Sequence, residues 1–146
     1  MTGPAPVDAA LVVAGGADAV AALLHLGVIA GGASWYRFFG AGEGMARAAA
    51  AGRWRPAVIT VGIALVLGAW AAYAFAGAGL VDGLPLVRPA LCAITAVYLL
   101  RGAVIVPALI RPRGPMTGFA IWSSAICLAI GALHLLGLTQ VWSRIG

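Results

Sequence analysis

The stretch Pro56–Val81, PAVITVGIALVLGAWAAYAFAGAGLV, decides the fold: it runs 26 residues without a charge. At 1.5 Å rise per residue, about 20 apolar residues cross the ~30 Å hydrocarbon core of a bilayer. Pro56 suits a first helical turn, where its missing N–H costs nothing. Working outward, Ala19–Tyr36 and Gly114–Ser143 are also free of charge. A less clean segment runs from about Leu86 to Ile110. It carries Arg88 near its start and Arg101 inside, around the apolar run LCAITAVYLL at 91–100.

Composition agrees. Of 146 residues, 63% are apolar and 9% charged, with mean hydropathy +1.05. A soluble domain carries roughly 25% charged residues, and disorder requires low hydrophobicity, so both classes are excluded. The nine basic residues are all arginine, against Asp8, Asp18, Glu43 and Asp82, for a net charge of +5. They lie between apolar segments rather than on one basic arm, which points to membrane orientation and not to nucleic acid. Cys92 and Cys127 sit in apolar runs and form no secreted disulfide framework. The first residues lack the basic start of a signal peptide.

The pattern predicts an all-α integral membrane protein with one membrane domain over 1–146. Four transmembrane helices, at about 17–36, 57–78, 87–109 and 117–139, are expected in an antiparallel bundle. Asp18 is expected to N-cap the first, because a start near Ala9 would put its carboxylate inside the bilayer at high cost. Pro107 is expected to kink or end the third span, and RPRGP at 111–115 to form a helix-breaking turn. Between the first two spans, EGMARAAAA at 43–51 predicts a short interfacial helix, with Glu43 and Arg47 spaced to pair. Trp35, Tyr36 and Trp54 bracket it as interface anchors.

Four crossings place both termini on one side. The loop from Arg37 to Arg55 carries a net +3 and the 111–115 turn +2, whereas the opposite side sums to −1. The positive-inside rule then predicts both termini on the non-cytoplasmic side, in a bacterial inner membrane. Ala64, Gly68, Ala72 and Ala76 form a small-residue ridge suited to helix contact, as do Gly27 and Gly31.

The candidate ligand-binding residues are His25, His134, Arg88, Tyr98, Arg101, Tyr73 and Thr95. The two histidines fall at similar depth on antiparallel spans in similar contexts, ALLHLG and ALHLLG. They fit structural hydrogen bonds to neighbouring helices, a small-molecule cavity with Asp18, Tyr73, Arg88 and Gln140 at its mouth, or a haem or metal site. Arg88, Cys92, Thr95, Tyr98 and Arg101 or Gly102 recur at helical spacing as a polar stripe, with Ser123 and Ser124 at the depth of Arg101. Asp82 is close enough in sequence to pair with Arg88.

No nucleotide loop and no paired intramembrane carboxylates are present. Ser123 and His134 are about 16 Å apart along one helix and cannot act as nucleophile and base. Arginine and histidine in the interior favour a neutral or anionic, amphipathic small molecule, bound or transported, with oligomerisation plausible for four short helices. An accessory subunit of a larger membrane complex, a bis-histidine haem or metal protein, and a small membrane enzyme stay open. No cofactor is identified.

Overall fold

A computed structural model describes residues 6–110 and 118–145. Six helical segments occur among them: α1 (Ala9–Phe38), α2 (Glu43–Ala50), α3 (Arg55–Gly77), α4 (Val87–Ala103), α5 (Ile105–Ile110) and α6 (Gly118–Val141). The chain divides into two compact units, one of Met1–Ala17 with Trp70–Gly146 and one of Asp18–Ala69.

Among the described residues three helices, α1, α3 and α6, are long and apolar enough to cross a membrane, not four. The predicted span 87–109 is broken at Val104 into α4 and α5. Pro107 has no N–H to give the carbonyl of Ala103, so the ladder fails one turn before it. The 17 residues of α4 rise about 26 Å, short of a hydrocarbon core. The four-helix transmembrane bundle is thereby overturned, and placing both termini on one side loses the parity on which it rested. The predicted 111–115 turn lies outside the described residues. What holds is an all-α, hydrophobic helical protein consistent with integral membrane embedding. The three long helices are apolar on every face, and only 22–28% of each apolar window is covered by the chain itself. Leu23, Leu65, Leu100 and Trp122 are among the exposed large side chains, as lipid contact requires.

The first helix begins eight residues earlier than predicted. Asp8, not Asp18, is the cap: its Oδ1 accepts the Leu11 N–H at 2.9 Å, and its own N–H donates to the Ala78 carbonyl at 3.1 Å. Asp18 is therefore inside α1 and fully buried. The helix is broken once, at Gly32 (φ 65, ψ −152), a conformation essentially reserved for glycine.

In the unit containing both chain ends, close packing is built on glycine. A Cβ on Gly102 would come within 2.5 Å of Leu128 Cγ and 3.0 Å of its backbone nitrogen. One on Gly131 would meet Leu99 Cδ2 at 2.9 Å and Tyr98 Cβ at 3.1 Å. Thus α4 and α6 each offer a gap to the other's side chains. Gly77 on α3 likewise seats Leu91 and Leu11, both fully buried.

The predicted ridge on the second span is not the contact face. The buried residues of α3 are Pro56, Thr60, Ala64, Leu67, Ala71, Ala74 and Gly77, a mixture of steps of four and three. A strict spacing of four drifts around the helix, and Gly68 has open space beside it. Gly27 and Gly31 do not meet another helix either. They make room for Trp35 of the same helix, whose indole lies where a Gly31 Cβ would be.

In the unit Asp18–Ala69, the Tyr36 hydroxyl donates to Thr60 Oγ1 at 3.2 Å, whose own proton goes to the Pro56 carbonyl at 2.8 Å. Val28, Tyr36 and Ala46 form a small core with Phe39, Met45 and Ala49, so α2 packs its apolar face on the end of α1.

Gly102→Ala should destabilise the protein by about 1–3 kcal/mol through overpacking, whereas Gly68→Ala should be neutral or stabilising. Thermal unfolding in mild detergent checks both. Equal behaviour of the two variants would contradict the glycine-seated α4–α6 contact.

Candidate functional site

The residues singled out from the sequence fall into different settings. Along α4, Thr95 is buried, and its hydroxyl donates to the Leu91 carbonyl at 2.7 Å. One turn on, Tyr98 is buried between two rings. Trp70 meets it edge-on at 5.2 Å, and His134 stacks on it at 5.6 Å with an 18° interplanar angle. His134 is fully buried. Trp70, Tyr98 and His134 thus form a ring stack joining α3, α4 and α6. The polar stripe of α4 does face the packed side at Thr95, Tyr98 and Gly102.

Arg101 is exposed, and its guanidinium donates to Ser124 Oγ at 3.4 Å and Ser123 Oγ at 3.3 Å. These are the serines expected at its depth. Tyr73 is half-buried on α3. His25 belongs to the other unit, Asp18–Ala69, where its Nδ1–H donates to the Ala21 carbonyl of its own helix at 2.8 Å. Among the described residues no group of three or more His, Cys, Asp and Glu is placed to hold a metal ion.

Arg88 sits at the start of α4 and is engaged differently from its expected pairing with Asp82. Its Nη2 donates to the Trp142 carbonyl at 2.8 Å, and the guanidinium lies 4.8 Å from the centroid of the Trp142 ring. Both contacts hold the cation in place without neutralising it. Its Nε is buried and has no hydrogen-bond partner among the described residues. Two residues beyond Trp142, Arg144 donates to the Pro6 carbonyl at 2.8 Å.

These two arginines line a cleft of about 550 Å³. Asp82 and the apolar side chains of Val81, Leu84, Leu86 and Ile145 are also part of its wall. Leu86 adopts a left-handed conformation (φ 57, ψ 35) immediately before α4, which turns the chain into the helix at Val87. Of the candidate ligand-binding residues, Arg88 lines this cleft, while His25, Tyr73, Thr95, Tyr98, Arg101 and His134 do not. Sequence reasoning missed Trp142, Arg144 and Ile145. Their signal was an aromatic and a cation directly after the last apolar run, read only as a terminus.

A second charged centre lies in the other unit. Arg37 Nε and Nη2 each donate to Glu43 at 2.9 Å, a two-pronged pair in which both side chains are about half exposed. The expected Glu43–Arg47 pair is not made. Turning the chain through Gly40 and Gly42 brings Glu43 back onto the last turn of α1. The Arg37 hydrogen bonds hold the Glu43 carboxyl below its ordinary range, opposed by desolvation and aided by the charges of Arg37 and Arg47.

No protein-family model matches the chain, and no curated protein or solved structure shows significant similarity to it.

Because the folded-state value for Glu43 is lowered, whatever stability the pair gives is present at neutral pH. It is lost as acidification passes through that lowered value. A carboxyl-detected NMR titration should place Glu43 below the ordinary glutamate range, and Arg37→Gln should move the midpoint upward. An unchanged midpoint would contradict the pairing.

Proposed function

We propose that this membrane protein binds a small anionic amphipathic molecule in the cleft lined by Arg88 and Arg144. The observation that carries the reading is the state of Arg88. It is held by a carbonyl and an indole face, and among the described residues it has no carboxylate partner and keeps a buried Nε without an acceptor. A buried donor left unmade costs about 1–3 kcal/mol, so an anion supplying the acceptor would recover that cost. Two cations against Asp82 leave the wall net positive, and Val81, Leu84, Leu86 and Ile145 suit an alkyl portion. Neutral ligands are disfavoured by the same charges.

The reading shifts the site away from the histidines. Thr95 and Tyr98 are consumed in packing, and His25 is bonded to its own helix. For orientation, the segment Arg37–Arg55, with four arginines and one glutamate, is read as cytoplasmic by the positive-inside rule. That assignment does not depend on the number of crossings.

Isothermal titration of the detergent-purified protein with decyl phosphate tests the cleft, with decanol as the uncharged control. Arg88→Gln should weaken decyl phosphate binding about tenfold or more, the equivalent of a charge-assisted hydrogen bond, and Arg101→Gln should leave it unchanged. Equal binding by the wild type and Arg88→Gln would overturn the proposal.

A further inference from the structure

The segment between α1 and α3 presents a second basic surface, independent of the cleft. The apolar face of α2 is already covered: Ala46 is fully buried, and Met45 and Ala49 pack on Val28, Tyr36 and Phe39. What points outward is aromatic and cationic. Phe38 is 76% exposed and Trp54 71%, and Trp35, three residues before Phe38, is exposed too. Arg47, Arg53 and Arg55 are exposed as well.

The charge of this surface follows from the Arg37–Glu43 pair. Glu43 is the one acid between Arg37 and Arg55, and it is spent on Arg37. Arg47, Arg53 and Arg55 form no ion pair among the described residues. Three guanidiniums are therefore uncancelled. The end of α2 orders two of them. Gly52 (φ 67) donates to the Ala49 carbonyl at 3.0 Å and Arg53 to the Ala48 carbonyl at 2.9 Å. That Schellman turn delivers Arg53, Trp54 and Arg55 directly into the first turn of α3.

We infer that this surface binds the headgroups of anionic phospholipids. Tryptophan and phenylalanine beside arginine at the end of a membrane-length helix suit the headgroup level. Juxtamembrane guanidiniums are attracted to phosphodiester charge, and each offers a planar fork that matches a phosphate. The fixed turn at Gly52 presents Arg53 and Arg55 without first having to order a loop.

The test is lipid retention. The protein is reconstituted in equimolar phosphatidylglycerol and phosphatidylcholine, extracted in mild detergent, and its bound lipid is read by native mass spectrometry. The wild type should retain phosphatidylglycerol several-fold over phosphatidylcholine. An Arg47→Gln, Arg53→Gln, Arg55→Gln variant should lose that preference, and the corresponding triple lysine variant should keep most of it. An Arg88→Gln, Arg144→Gln variant should retain the wild-type preference, which separates this surface from the cleft. The inference is overturned if the triple glutamine variant keeps the preference, or if the cleft variant alone abolishes it.

Discussion

Helices immersed in lipid gain little by hiding apolar surface from one another, so close contact must come from shape. Here the shape is glycine against leucine. Gly102 admits Leu128, Gly131 admits Leu99, and Gly77 admits Leu91 and Leu11. At each seat an added methyl would fall on the neighbouring side chain. The attraction is dispersion summed over many atoms, and it falls off within an ångström of separation. Because these seats fix α4 against α6 and α3, they also fix Tyr98 between Trp70 and His134, and they set Arg88 within reach of Trp142.

The cleft is a consequence of how the chain closes at that end. Asp8 caps α1 and donates its own backbone N–H to the carbonyl of Ala78, just past α3. Arg144, just past α6, reaches the Pro6 carbonyl, and Arg88, opening α4, reaches the Trp142 carbonyl. Three hydrogen bonds to backbone carbonyls thus tie together segments distant in sequence. Between them Val81–Leu84 and Leu86–Pro89 line the cleft.

The membrane-length helices α1, α3 and α6 were legible because charge-free length needs no tertiary information. The short helix after α1 was legible from its alanine content. The break at Val104 was only half legible. Pro107 announced a defect, but not that it would leave α4 too short to cross. Asp18 misled because the cost of a buried carboxylate was weighed without a competing cap. Asp8 supplies one through a single bond to the Leu11 N–H, and the helix then runs through Asp18. The ridge on α3 misled because a spacing of four drifts, whereas the buried face mixes steps of four and three. Of the candidate site residues Arg88 alone lines the cleft. Its Trp142 and Arg144 neighbours are over 50 residues away in sequence, and no local pattern joins them.

What an arginine donates to decides what it can do next. Arg37 donates both prongs to a carboxylate, so its charge is cancelled and it acts as a strut between α1 and α2. Arg88 and Arg144 donate to carbonyls, and Arg101 to serine hydroxyls. A neutral acceptor orients a guanidinium while leaving its full charge in place. In water that remaining charge would be screened within about 10 Å. Beside a low-dielectric apolar wall it is screened far less, and it is directed by whatever holds the group. Four acids among nine arginines therefore leave more than a net charge of +5. The acid within the Arg37–Arg55 segment is used where rigidity is needed, and backbone and hydroxyl acceptors are used where the cation stays available.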